Sequence, residues 1–435
     1  MTKRSWPMLA LLRQRNPALY LSAHTIATIG IWTSKLGVAW ATWELSGSPW
    51  WLGVMAWADL FPYLVITPFA GVLADRFDRL VVTRIAQVAI TIIAATLAIC
   101  ALYDMLTLSL LLALTLAGGI VGAFEQPARL ALIVSLVKNR DVPAAIGFNS
   151  LTFNLARILG PMLAGPLIVV FGLWSVFAVK VAASALFVVA LVMIRPVTVQ
   201  PRASRASSVV AEIIDGVTYL YRQPGLSAVL LVFLAFCLSG RGIIELLPAL
   251  SDRIVGSLGI ADSVIALSVL TSVIGVGAIL GSVASTMLVR QEASFGIVAA
   301  TGFVSGLAVV IIGFAHQSIV VLAGLMLIGA ATVVGGVAVQ VTLQLAGDPN
   351  RRGRTTSVYS LFVRGAPGIG ALIIGAASEL ISVELAFAFA GAAAALISLR
   401  YWLRRSAIQA TLVFASDDQP ADRQDGDGTG AAPKA

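Results

Sequence analysis

Seven ionisable residues, Lys35, Asp59, Arg157, Lys180, Arg241, Glu245 and Arg364, stand inside otherwise apolar stretches of this chain. A charge in such a stretch costs at least ~2.5 kcal/mol to place in a membrane, so each needs a partner or a task. Lys35 lies eight residues before Trp43 and Asp59 eight after Trp51. If both stretches are helices, the two charges sit at the same depth, ~12 Å from one end at 1.5 Å per residue. Arg241 and Glu245 are spaced i,i+4 and share a face of a regular helix. A carboxylate held between an apolar surrounding and a cation can trade its proton against that cation or against a ligand. Asp59 and Glu245 are therefore candidate proton carriers, although the same pairs would serve equally as structural ion pairs between helices. Trp32 and Trp57 lie deeper than the other tryptophans near them and are candidates for lining an aromatic ligand site.

Other chemistry is poorly supplied. The only cysteines, Cys100 and Cys237, lie in apolar runs, and the only histidines, His24 and His316, are far apart. No disulfide framework, metal site or Ser/His/Asp arrangement is expected. None of the five lysines follows a glycine, so no phosphate-binding Gly-Lys-Ser/Thr loop is present. We expect no cofactor, no metal and no enzymatic activity.

The elements that must position these residues follow from composition. Of 435 residues, 59% are hydrophobic and 11% charged, against about a quarter charged in soluble domains. Too few polar residues remain to cover a soluble core, which makes the chain an all-α integral membrane protein. A ruler of about 20 apolar residues per crossing finds twelve spans. Six lie at 19–43, 51–74, 81–103, 108–128, 144–171 and 173–194. Six more lie at 226–250, 264–288, 295–315, 319–346, 355–380 and 385–403. The loops on one side and the flanks carry twenty-one Lys and Arg, the opposite loops Arg253 alone. Basic residues stay in the cytoplasm during insertion, so both termini are expected there. The net charge of +8 is then a topology signal, and no soluble basic face exists to bind nucleic acid. Residues 195–225 read as a cytoplasmic linker with a short amphipathic helix over 209–222 that lies on the inner membrane face. Residues 406–435, rich in Asp, Gly and Pro, read as a disordered cytoplasmic tail.

Residues 1–194 and 226–405 form two related halves. A shift of about 207 positions lays Arg157 on Arg364, and one residue less lays Lys35 on Arg241. Two six-helix halves facing one another suggest a central path that can open to either side.

Between the second and third spans runs Gly71-Val72-Leu73-Ala74-Asp75-Arg76-Phe77-Asp78-Arg79. It resembles the signature loop of the major facilitator superfamily, with Asp78 where glycine is usual and Leu80 where a basic residue is usual. The resemblance implies that Asp75 caps the start of span eleven. It also implies that Arg79 bridges to an acid at the end of span four, for which Glu125 is the candidate. Gly71, Asp75, Arg76, Arg79 and Glu125 would then form an inner gate. In span five, Arg157-Ile-Leu-Gly160-Pro161-Met-Leu-Ala-Gly165-Pro166 is similar to the Gly-Pro motif of drug:proton antiporters. Phe124-Glu125-Gln126-Pro127-Ala128-Arg129 and Asn154-Leu155-Ala156-Arg157 resemble the branch holding the enterobactin exporter and macrolide efflux proteins. The resemblance covers residues 15–405. It implies the major facilitator fold: two pseudo-symmetric six-helix bundles of a monomeric, multi-pass transporter of the bacterial inner membrane.

The expected function is proton-coupled export of a small amphiphilic compound by alternating access. Its pathway would run past Lys35, Asp59, Arg241, Glu245, Trp32 and Trp57, with Arg157 and Arg364 as packing or gate residues. The alternative is an exporter of a siderophore or metabolite with narrow specificity. A membrane-embedded enzyme lacks residues to do the chemistry, and a non-transporting sensor would need a soluble signalling domain.

Overall fold

The computed structural model describes residues 10–194, 209–289, 295–346 and 352–412, without the side chains of 68, 71–76, 209–214 and 352–354. The first six spans are α1 (Arg15–Ser46), α2 (Pro49–Arg76), α3 (Arg79–Leu102), α4 (Leu108–Ser135), α5 (Val142–Phe171) and α6 (Trp174–Met193). A short helix, α7 (Val209–Arg222), precedes a composite seventh span. That span consists of α8 (Pro224–Phe236), a π-helical turn (Cys237–Arg241), a 3-10 turn (Gly242–Leu246) and α9 (Leu247–Ile254). The remaining five are α10 (Ser263–Leu288), α11 (Phe295–Phe314), α12 (Ser318–Leu345), α13 (Arg352–Leu380) and α14 (Val383–Leu403), followed by α15 (Arg405–Ala410).

Eleven of the twelve spans are long and apolar enough to cross a membrane on their own composition; α1, which carries Arg15, Lys35 and Glu44, is more polar. Apolar rows face outward. On α3, Ile85, Ile92 and Ile99 recur every seven residues and are 66%, 61% and 54% exposed. Such rows suit acyl chains and would be unfavourable in water.

Local chemistry sets the helix ends. Gly47, at φ 59, closes α1 in the left-handed conformation that a side chain disfavours. Asp78 is the N-cap of α3, its carboxylate accepting from Leu80 N–H at 2.8 Å. This accounts for an acid where the loop pattern has glycine. Thr107 and Ser382 cap α4 and α14 in the same way. The C-terminal carbonyls of α6 and α11 are met by arginines. Arg84 donates twice to Leu191 O, at 2.6 and 3.0 Å, and Arg253 donates to Ile312 O and Gly313 O, each at 2.7 Å. Arg253 is thus tied to a helix end and to Glu384 at 3.3 Å.

Three expectations need correction. The seventh span is not one regular helix. It breaks where Gly242 and Gly370 bring its backbone against α13, so close that a Cβ at Gly370 would lie 2.0 Å from Leu238 O. The chain beyond 405 does not begin as a disordered tail: α15 forms, Gln409 accepts from Phe295 N–H at 3.1 Å, and Leu412 is buried. The linker helix does not merely rest on a surface, since Leu220 packs into the apolar cluster of the last six spans. Residues 195–208 and 413–435 lie outside the described residues.

The two bundles meet along α2 with α13 and α5 with α10. These pairs exchange under the internal repeat, which maps span two on span eight and span five on span eleven. At the end of the molecule near Trp43, buried side chains of both bundles form one cluster, including Leu36, Met55, Phe177, Ile243, Leu267 and Phe387. At the opposite end they divide in two. One cluster holds Tyr20, Leu132 and Phe187 of the first bundle, the other Phe233, Phe295 and Val339 of the second. The molecule is therefore a wedge, sealed at the Trp43 end and parted in its apolar packing at the other.

Candidate functional site: an inter-bundle ion bridge

The apex of the wedge holds a three-way ion bridge. Lys35 Nζ lies 3.2 Å from Glu245 Oε1, on the opposite bundle, and 3.5 Å from Asp59 Oδ2, on its own. Lys35 and Asp59 side chains are 34% and 39% accessible, Glu245 18%. Leu36, Ile243 and Leu246, within two residues of Lys35 or Glu245 in sequence, belong to the shared cluster that seals the Trp43 end. The bridge thus lies at the floor of the wedge.

The broken seventh span decides who pairs with whom. In a regular α-helix, four residues leave Arg241 and Glu245 about 40° apart. Through a 3-10 turn, at three residues per turn, the same step turns Glu245 about 120° away. The expected Arg241–Glu245 face is therefore lost, and Glu245 meets Lys35 across the bundles. The Lys35–Asp59 pair forms as the matched depths imply.

Arginines and aromatic rings surround the bridge. Arg157 sits 5.9 Å from the Trp32 ring, which Lys35 also faces at 6.0 Å, and Trp32 packs edge-on against Phe153. Arg364, the repeat mate of Arg157, sits 6.0 Å from the Tyr63 ring. Trp57 stacks on Phe61 at 4.5 Å. Arg241 lies within electrostatic range of Arg157, Arg364 and Tyr359, and Lys180 within range of Asp59. Among the described residues, Arg157, Arg241 and Arg364 have no carboxylate at ion-pair distance, because Asp59 and Glu245 both face Lys35.

The span-five motif works as a contact strip. A Cβ at Gly160 would lie 2.4 Å from Trp32 Cβ, so α5 crosses α1 there; one at Gly165 would lie 2.1 Å from Ser268 Oγ on α10. Pro161 and Pro166 lie inside α5 without ending it. The strip fastens the first bundle to itself at Gly160 and to the second bundle at Gly165.

The loop motif is only partly described. Gly71, Asp75 and Arg76 lie in the last turns of α2, with side chains outside the description, and Arg79 opens α3. Glu125, expected opposite Arg79, is held elsewhere: it accepts from Gln87 at 2.7 Å and pairs with Arg129, one turn along α4, at 3.5 Å. Arg129 also donates to His24 Nε2 at 2.9 Å, and Asn149 Oδ1 lies 3.2 Å from that nitrogen. This buried network ties α1, α3, α4 and α5 together on the far side of the wedge floor. Sequence reasoning overlooked it. The available signal was the set of polar residues Gln87, Glu125, Arg129 and His24 within apolar helices, of which Gln87, Glu125 and His24 are each less than 6% exposed.

At the sealed end, Trp43 Nε1 donates to Asp252 at 2.6 Å and Ser48 donates to Glu379, both across the bundles. Twelve membrane-spanning helices in two repeat-related bundles, packed on α2–α13 and α5–α10 around a charged floor, define a transporter of the major facilitator type. The chain belongs to the transmembrane secretion effector family of that superfamily, whose model matches residues 7–423. It is similar to the staphyloferrin A transporter of Staphylococcus aureus, 21% identical over 392 residues, covering 88% of this chain and 94% of that one. Macrolide efflux protein A of Streptococcus pyogenes is 24% identical over 276 residues, covering 63% and 67%. Among solved structures, the nucleoside transporter NupG superimposes with a TM-score of 0.68 at 14% identity, covering 94% of this chain and all of that one. A bacterial homologue of the lysosomal transporter Spinster, inward-facing and unoccupied, gives 0.63 at 14%, covering 95% and 98%. The chain is a multi-pass membrane transporter and not an enzyme.

Proposed function

We propose that this protein is a proton-coupled exporter of small amphiphilic organic compounds, acting as a monomer in a bacterial inner membrane by alternating access. The observation that carries this reading is the Lys35 bridge to a carboxylate in each bundle. A proton taken up by Glu245 neutralises the only arm that crosses between the bundles, and Lys35 then holds Asp59 alone. The tether at the wedge floor loosens, and the balance between the two openings shifts by the strength of one partly exposed ion pair. Substrate entering from the parted end meets Trp32 and Trp57 beside that bridge. Release to the opposite side requires opening the Trp43–Asp252 and Ser48–Glu379 contacts, and a return path re-forms them. The two glycine crossings at Gly160 and Gly165 leave α5 free of bulky interlock during that motion.

The similarity to macrolide efflux protein A supports the export direction and an amphiphilic substrate. A narrower reading, export of a siderophore, is favoured by similarity to the staphyloferrin A transporter along nearly its whole length. Purified protein in liposomes loaded with a pH-sensitive dye tests the coupling. Addition of a transported compound from a panel of macrolides and carboxylate siderophores is expected to move protons in wild type. Asp59→Asn or Glu245→Gln lowers that flux by at least ten-fold. Equal proton flux in wild type and both variants would overturn the proton role. Growth of a deletion strain on toxic amphiphiles and under iron limitation separates the broad reading from the narrow one.

A further inference from the structure

The wedge floor is out of charge balance. Lys35 pairs with both carboxylates, Asp59 and Glu245; Arg157 lies within range of Glu245 and Lys180 of Asp59, while Arg241 and Arg364 add two further cations beside them. Lys35 occupies both acids. Arg241 lies within electrostatic range of both Arg157 and Arg364, and Arg157 also of Glu245, but among the described residues none of the three arginines has a carboxylate at ion-pair distance. Two of them lean toward aromatic rings, Arg157 toward Trp32 and Arg364 toward Tyr63. Contacts at about 6 Å supply ~0.5–1 kcal/mol each, far less than burying a guanidinium costs.

While the wedge is parted, water can hydrate these groups. Alternating access must close it, and closure strips that water from three guanidiniums, of which Arg241 repels both of the others. Two come from the second bundle and one from the first, so closure also presses like charges together. An oxyanion removes both penalties. The guanidinium fork binds carboxylate or phosphate with two parallel hydrogen bonds, which a lysine does not match. The rings of Trp32, Phe153, Trp57 and Tyr63 meanwhile supply apolar walls within the same space.

We propose that the transported compound is an amphiphilic oxyanion, a carboxylate or phosphate on an aromatic or aliphatic body, and that Arg157, Arg241 and Arg364 bind its anionic group. This rests on the wedge floor being the substrate site. The anion acts as the counter-ion that makes closure favourable, so empty protein resists closing and loaded protein does not. Substrate selection and bundle movement then share one electrostatic cause.

Binding measured without any gradient separates this from proton coupling. Purified protein in nanodiscs is titrated with two dyes on one xanthene framework, anionic carboxyfluorescein and cationic rhodamine 123, read by fluorescence anisotropy. Wild type is expected to bind carboxyfluorescein at least ten-fold tighter than rhodamine 123. Arg157→Gln and Arg364→Gln each weaken the anion by at least ten-fold without weakening the cation. Arg157→Lys, which keeps the charge, recovers part of the loss and guards against a folding defect. Arg140→Gln, at a residue 79% exposed and outside the wedge, leaves both affinities unchanged. Competition by decanoate against decyl phosphate tells which oxyanion is preferred. Equal affinity for both dyes, including no binding of either, or an anion affinity untouched by both glutamine variants, would overturn the proposal. Absent proton flux beside intact anion selectivity would instead fault only the coupling.

Discussion

Lys35 is the residue on which most of the site's electrostatics turn, because among the described residues it is the sole cation within ion-pair reach of both wedge-floor carboxylates. Removing it and removing one of its partners are therefore unequal changes. Lys35→Met leaves Asp59 and Glu245 near each other without their shared cation, whereas Glu245→Gln leaves a complete pair behind. Partial exposure discounts the penalty to ~1 kcal/mol, so Lys35→Met should lower the unfolding temperature in detergent measurably and Glu245→Gln should hardly move it. The reverse order would mean that the bridge is not where the charges are held. Arg129 makes a second prediction at this scale. Its removal leaves the buried Glu125 with Gln87 alone, and such an orphaned charge costs ~3–5 kcal/mol. Arg129→Ala should express poorly and unfold early, and Glu125→Gln with Arg129→Gln together should restore much of the loss.

Small residues decide how closely the helices approach. A Cβ at Gly277 would lie 2.1 Å from Met326 O, a backbone atom that cannot step aside, while one at Gly165 would meet the Ser268 hydroxyl, which can rotate. Gly277→Ala should therefore destabilise by about 1–3 kcal/mol, and Gly165→Ala should be tolerated, as read by thermal unfolding of the purified protein. Gly165→Leu reaches past the hydroxyl toward Val264 O and should abolish transport. At this scale the sequence was most readable. The twelve spans and the linker helix over 209–222 follow from hydropathy and periodicity, and the Lys35–Asp59 pair follows from equal depth in antiparallel neighbours. The π and 3-10 turns of the seventh span were not readable, since they arise from a close crossing with Gly370 that lies far away in the chain. For the same reason the Lys35–Glu245 bridge was hidden: a broken helix changes which face a residue occupies. The Glu125–Gln87–Arg129–His24 network needed three other helices before its members met.

The whole molecule behaves as two bundles joined at one end by a shared apolar cluster and two polar clasps. Cysteines at Ser48 and Glu379, on a Cys100→Ser background with Cys237 buried, should cross-link on oxidation. The linked protein should lose transport and regain it on reduction, because export requires that end to part. Retained transport in fully linked protein would show that it never opens. The central claim, that protonation at the Lys35 bridge biases the wedge, is met most directly by pulsed electron-spin distance measurements between labels on the two bundles. Ile85→Cys and Met287→Cys place labels on exposed positions of α3 and α10. Lowering the pH should redistribute the distances in otherwise wild-type protein, and the same change should leave them fixed when Asp59→Asn and Glu245→Gln are combined. A pH response of equal size in both proteins would contradict the account.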